Sequence, residues 1–225
     1  MRRIFALMVC LVLLALPARA EEQQKYVALT FDDGPSGRYT ERLLDGLRER
    51  GAKATFLLCG YRMEDFPELT ARISREGHEI GFHGYSHDNM SVMSRRKIGE
   101  ELIRSEKLLP EGCRPVFLRP PGGAEGDNVR QVAEVRNLGL LLWSVDPKDW
   151  AVKDAPLVIS RVVETAGDGD VILMHDMSDS SVTAALEILD RLQNQGYQFV
   201  TVSELAELRG VKIRPGETYR RFPQQ

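Results

Sequence analysis

Four histidines and three cysteines are all that this 225-residue chain contains. So few cysteines exclude a disulfide scaffold, which needs several pairs within a small domain. Cys10 falls in an N-terminal apolar run, leaving Cys59 and Cys113, both near predicted strands and expected as buried thiols. That apolar run, 4–16, is shorter than the roughly 20 residues of a spanning helix. Arg2 and Arg3 precede it and Ala18-Arg19-Ala20 follows, the pattern of a secretory signal peptide cleaved near Ala20. An uncleaved anchor is the alternative. No bulk of positive charge is present either. Without residues 1–20 the chain has 27 lysines and arginines against 33 acids, a net charge of −6. A nucleic-acid partner, which calls for a basic patch, is therefore excluded. No low-complexity linker divides residues 21–225, so they are read as one domain, large enough for a single core.

What is present is a regular alternation. Short apolar runs at 26–31, 54–59, 79–83, 116–119, 140–145, 170–175 and 198–202 each precede an amphipathic stretch. The corresponding helices are expected at 38–50, 67–77, 94–109, 127–138, 156–166, 181–195 and from Ser203 onward. Strands too continuously apolar to have a wet face predict a parallel sheet covered by helices, in an α/β fold. Periodicity leaves a barrel and an open doubly wound sheet equally possible. In both, the chemistry gathers at the carboxyl ends of the strands. The unusual polar residues fall there: Asp32 and Asp33, His83 and His87, Arg119, Asp146 and Asp149, His175 and Asp176.

Each group has a plain reading beside a chemical one. "TFDDG" (30–34) is good turn chemistry, or two acids dividing metal binding from base duty. His83 and His87 lie four apart, so both rings can meet one ion, with Asp33 as a carboxylate on the same rim. Two histidines, a carboxylate and an open position form a catalytic zinc pattern, though sequence does not fix the metal. His78 sits at the opposite end of its strand and is expected to be structural. "RPPGG" (119–123) offers either a surface arginine or one that orients a nearby aspartate. "DPKDW" (146–150) reads as a solvated loop or as acids beside an exposed tryptophan, and "LMHD" (173–176) ends a strand on a lone histidine.

Together these five motifs, in this order, resemble the polysaccharide deacetylases of carbohydrate esterase family 4 over about residues 25–205. The resemblance implies a distorted (β/α) barrel, TIM-barrel-like, with about seven parallel strands. It implies a divalent metal, zinc foremost and cobalt possible, held by Asp33, His83 and His87. Asp32 becomes the general base, oriented by Arg119, and His175 the general acid, oriented by Asp149. Gly122 supplies a backbone N–H to the substrate, while Trp150 and Leu173 line an acetyl pocket. The implied activity is N-deacetylation of a cell-wall glycan outside the cytoplasm, peptidoglycan first, by a monomer. Chitooligosaccharides, acetylxylan and a non-catalytic carbohydrate-binding role are the alternatives. Two departures stand out: Gly84 replaces the family's Ser/Thr between the histidines, and Gly122 its tyrosine. A looser ligand loop and a more open pocket are expected from them.

Overall fold

The computed structural model describes residues 24–224; the leader pattern at 1–20 and Cys10 lie outside them. β1 (Lys25–Asp32) is buried over its last six residues, as expected of a central strand. It is followed by α1 (Arg38–Glu49), β2 (Thr55–Leu58), α2 (Gly60–Asp65), α3 (Pro67–Arg75) and β3 (Glu79–Phe82). Then come α4 (Arg95–Glu106), β4 (Phe117–Leu118), α5 (Asp127–Val135), β5 (Gly139–Leu141) and α6 (Ala155–Thr165). β6 (Val171–His175), α7 (Asp179–Asn194), β7 (Tyr197–Phe199), α8 (Val202–Leu208) and a short β8 (Thr218–Tyr219) complete the series. The strand order is β6-β1-β2-β3-β4-β5-β8, with β7 on the start of β1 and every strand pair parallel. The seven strand–helix units of the sequence are therefore present, as parallel staves of a curled (β/α) barrel. Leu29, Phe31, Phe56, Ile172 and Met174 pack against Leu43, Leu44, Leu47, Ile188 and Leu189 of α1 and α7 to form its main core.

Three segments differ from the sequence reading, each for a physical reason. The apolar run 140–145 is not one strand. β5 stops at Leu141, and Val145 instead bridges Ile172 of β6, so the run is apolar because it crosses the buried seam of the barrel. α2 has no counterpart in the sequence reading, which passes from the strand at 54–59 to the helix at 67–77; it begins at Gly60. The Gly60 backbone must approach the Tyr85 ring and Ser105 so closely that any Cβ would overlap them. Finally, 198–202 breaks after Phe199 because Thr201 caps α8, its side chain and that of Glu204 forming a reciprocal capping box. The cysteines are both free, and only Cys59 is fully buried; Cys113 is half-buried on the loop before β4. His78 lies at the foot of β3, buried, its Nδ1 accepting from the Ala54 N–H at 3.3 Å. Burial, helped by the Lys53 charge, pushes its imidazole down to about 4, so it stays neutral.

The C-terminal segment closes the seam between β5 and β6. β8 pairs with β5, Phe222 is buried and stacked on Tyr219, and the Phe222 N–H donates to the Gly169 carbonyl at 2.7 Å. Gly169 has φ +85°, and a Cβ there would overlap the Phe222 carbonyl. Gly169→Ala is therefore expected to lose about 2 kcal/mol, the scale of left-handed strain plus a backbone clash. For a chain of this size that lowers the melting midpoint by roughly 4–8 °C, measurable by thermal unfolding.

Candidate active site

Asp32 ends β1 and His175 ends β6, and the two are register partners on adjacent strands. The sheet thus brings together residues 143 positions apart, at a separation set by the strand spacing of about 4.8 Å. Asp33 and Gly34 follow Asp32 immediately. Asp33 adopts φ +72° and His87 φ +64°, the left-handed region that non-glycine residues enter at a cost. Gly34 is required by packing: a Cβ would stand 2.6 Å from Oδ1 of Asp176.

Three polar groups converge there. Nε2 of His83 and Nε2 of His87 lie 3.3 and 3.1 Å from Oδ1 of Asp33, and one donor atom from each residue falls within 4.8 Å of the others. His83 Nδ1 lies 2.7 Å from the Arg119 carbonyl, which can only accept, so Nδ1 carries the hydrogen. Its Nε2 is left as a lone pair facing a carboxylate oxygen. That oxygen, Asp33 Oδ1, is buried and makes no well-formed hydrogen bond. Lone pairs aimed at one another in a buried place repel unless a cation sits among them, so this donor set fits a divalent metal. Burial alone would raise the Asp33 carboxyl, but positive charge on the imidazole side, which protons on the two rings supply when no metal is bound, outweighs it and holds the carboxyl well below the usual range. Asp33 in turn pushes the His87 imidazole up.

The flanking pairs are equally ordered. Arg119 is wholly buried at the end of β4. Its Nε donates to Leu141 O at 3.1 Å, Nη2 to Leu142 O at 2.9 Å, and Nη1 to Thr30 Oγ1 at 2.9 Å and Asp32 Oδ1 at 2.5 Å. Asp32 Oδ2 remains, 3.7 Å from His83 Nε2. On the other side Asp149, also buried, accepts from the His175 backbone N–H on Oδ2 and binds ring Nδ1 on Oδ1, both at 2.9 Å. Nδ1 is thereby the donor, and Nε2 is the ring nitrogen free to act. Burial lowers the His175 pKa, but Asp149, with Asp32 and Asp33 behind it, reverses that and raises it to about 9.

Asp32, Asp33, His83, His87, Gly122, Trp150, Leu173 and His175 all line one cavity of about 420 Å³, within the range of ligand sites. Arg119 and Asp149 lie behind it, each bonded to a lining residue. Trp150 is 64% exposed at the rim, and Leu173 is buried below. Asp176 is not in the cavity: it is tucked under Gly34, bonded by Thr40, and burial pushes it up to about 6. Trp143 and Asp146 line the cavity too. The apolar run 140–145 predicts Trp143 inside a strand. The residue leaves the sheet after β5, stands against Gly123, and has the Arg119 guanidinium 5.6 Å from its ring.

A family model described as "Polysaccharide deacetylase" matches residues 19–141. The chain belongs to the polysaccharide deacetylase family. The matched span of this deacetylase-family chain carries Asp32, Asp33, His83, His87 and Arg119 but stops before Asp149 and His175. Two relatives cover the later strands as well. A peptidoglycan-N-acetylglucosamine deacetylase of Bacillus cereus is 39% identical over 188 residues, 81% of this chain and 88% of the relative. A peptidoglycan-N-acetylmuramic acid deacetylase of Bacillus subtilis is 38% identical over 191 residues, 84% of this chain but only 40% of that protein. Among solved structures, a family 4 acetyl xylan esterase from Clostridium thermocellum in complex with a cobalt ion superimposes with a TM-score of 0.82. It is 32% identical, with 88% of this chain and 100% of that chain covered. Among the described residues no helix is long and apolar enough to cross a membrane.

Proposed function

We propose that this chain is a metal-dependent hydrolase that removes N-acetyl groups from peptidoglycan, outside the cytoplasm. The observation that carries the reading is the arrangement of two buried pairs, Arg119–Asp32 and Asp149–His175, on either side of one metal-fitting trio. The names of the two relatives support the polymer, and the leader pattern at 1–20 supports the location. Zinc or cobalt is the proposed metal, since nitrogen and oxygen donors accommodate either.

Asp33, His83 and His87 would hold a divalent cation, which would supply polarisation of the amide carbonyl and a more acidic water. Asp32 accepts the proton of the attacking water on Oδ2, because Arg119 occupies Oδ1 and keeps the carboxylate pointed at the trio. His175 donates from Nε2 to the departing nitrogen, which is otherwise a poor leaving group. Gly122 lines the cavity with φ +64°, and its backbone N–H is assigned to the developing oxyanion. A Cβ at Gly122 would meet nothing within 4 Å, so the missing tyrosine leaves open room at that wall.

The test is acetate release from N-acetylated peptidoglycan, chitooligosaccharide and acetylxylan, with Zn²⁺ or Co²⁺ and with a chelator. Release is expected to be greatest from peptidoglycan and to stop on chelation. No release from any of them with either ion would overturn the reading. Preference for another polymer would leave the chemistry and correct the substrate.

The acid assignment predicts a pH profile. His175 carries its proton below its pKa, so the rate falls on the alkaline side as that proton is lost. A cation among Asp33, His83 and His87 offsets the share contributed by Asp32 and Asp33, placing that limb somewhat under 9. In Asp149→Asn, burial acts with little opposition and the ring loses its proton at lower pH. The alkaline limb of kcat is expected to move down and the neutral rate to fall by about 10²-fold, read from a pH–rate series.

A further inference from the structure

Gly84 predicts a loosely held ligand loop, yet the loop between His83 and His87 is tied to both α2 and α4 by hydrogen bonds. The Gly84 carbonyl accepts from the Gly60 N–H at 2.9 Å and from Ser105 Oγ at 3.0 Å, and the Tyr85 carbonyl accepts from the Tyr61 N–H at 3.1 Å. The donors of the loop are also met by α4. A single oxygen, Oε2 of Glu101, accepts from the Tyr85 N–H at 2.9 Å and the Ser86 N–H at 2.8 Å, and lies 2.9 Å from Ser86 Oγ, whose one hydrogen it shares with Asp88 Oδ2 at the same distance. Glu101 is 2% exposed, and the nearest cation is the half-exposed Lys97, 3.5 Å from the other oxygen.

A carboxylate withdrawn from water is costly unless its neighbours repay it, and here three donors from two consecutive residues do so. Those residues immediately precede His87, whose left-handed φ persists only where the surroundings over-determine it. The Gly84 position could not take over that task at low cost. At φ +82° a side chain is strained, and a Cβ would stand 2.8 Å from the Met90 methyl.

We propose that Glu101 is the positioning residue of the metal-ligand loop, fixing His87 towards Asp33 and His83 where this chain lacks the hydroxyl side chain at Gly84. The proposal rests on the reading of those three residues as a metal site. It concerns geometry, not charge: the carboxylate acts through Tyr85 and Ser86 and touches no ligand.

The experiment is zinc affinity of the full chain, measured by competition with a chromophoric chelator, alongside the melting midpoint of the metal-free protein. Glu101→Ala is expected to bind zinc about 10–100-fold more weakly, the range for outer contacts to metal ligands. Glu101→Gln, whose amide oxygen can accept the same three bonds, is expected to stay within a few-fold of the parent. Glu101→Asp keeps the charge but falls one methylene short, and should weaken towards the alanine variant. Should the alanine variant fail to fold, Glu101→Asp and Ser86→Ala, which deletes one bond, carry the decision with the same sign. Unchanged affinity in Glu101→Ala, or Glu101→Asp retaining affinity while Glu101→Gln loses it, overturns the proposal. Asp33→Ala separates the two levels: if the parent binds no more zinc than Asp33→Ala, the metal reading itself has failed. If the parent binds and Glu101→Ala binds equally, only the positioning role has failed.

Discussion

Asp32→Asn is expected to release acetate about 10³-fold more slowly than the parent while still binding its metal. The asparagine oxygen can keep the bond from Arg119, so the side chain stays in place, but it cannot take up a proton at neutral pH. That isolates the base, whose contribution falls in the range of about 10²–10⁴-fold. The same substitution has a structural cost. Arg119 is fully buried and loses the carboxylate that balances it, the situation in which removing one partner of a buried ion pair destabilises by about 3–5 kcal/mol. The remaining bonds to Leu141, Leu142 and Thr30 place the loss near the lower figure. Acetate release, zinc affinity and the melting midpoint measured on one preparation check all three statements. A fully active Asp32→Asn protein sinks the assignment of the base.

Stripping the metal with a chelator is expected to reduce acetate release to background, with Zn²⁺ or Co²⁺ restoring it. Asp33→Ala is expected to be inactive and not restored at the same ion concentration. Stability supplies an independent reading. An ion present at a thousand times its dissociation constant stabilises the folded state by about 4 kcal/mol. The parent should therefore melt higher with zinc than without it, and Asp33→Ala should not. An unchanged midpoint for the parent on adding zinc would count against the ligand trio.

The rim was legible in the sequence because a parallel sheet sends all its strand ends the same way. Asp32, His83, Arg119 and His175 each terminate or directly follow an apolar run, and that alone placed them together. What could not be read is what depends on which face of a helix turns inward. Glu101 lies in "GEELIRSE", an ordinary amphipathic stretch where a glutamate is expected in water. Its burial follows from where α4 meets the loop after β3, a tertiary fact with no local signature. Trp143 was hidden for the opposite reason, its apolar neighbours suggesting a strand that ends two residues earlier. A glycine's packing is equally invisible: Gly34 reads as a turn former in TFDDG, but close packing against Asp176 is what excludes a side chain there, as packing against Tyr85 does at Gly60.

The pairing of β1 with β6 sets an order in time. Asp32, both histidines and Arg119 are made early, and a chain extended only as far as Asp170 already contains every group proposed to hold the metal. It lacks the strand that carries the acid and half the support of β1, so loop closure over about 140 residues precedes any chemistry. A partly made or clipped chain of this kind holds the residues proposed to bind the ion but not the one proposed to give a proton.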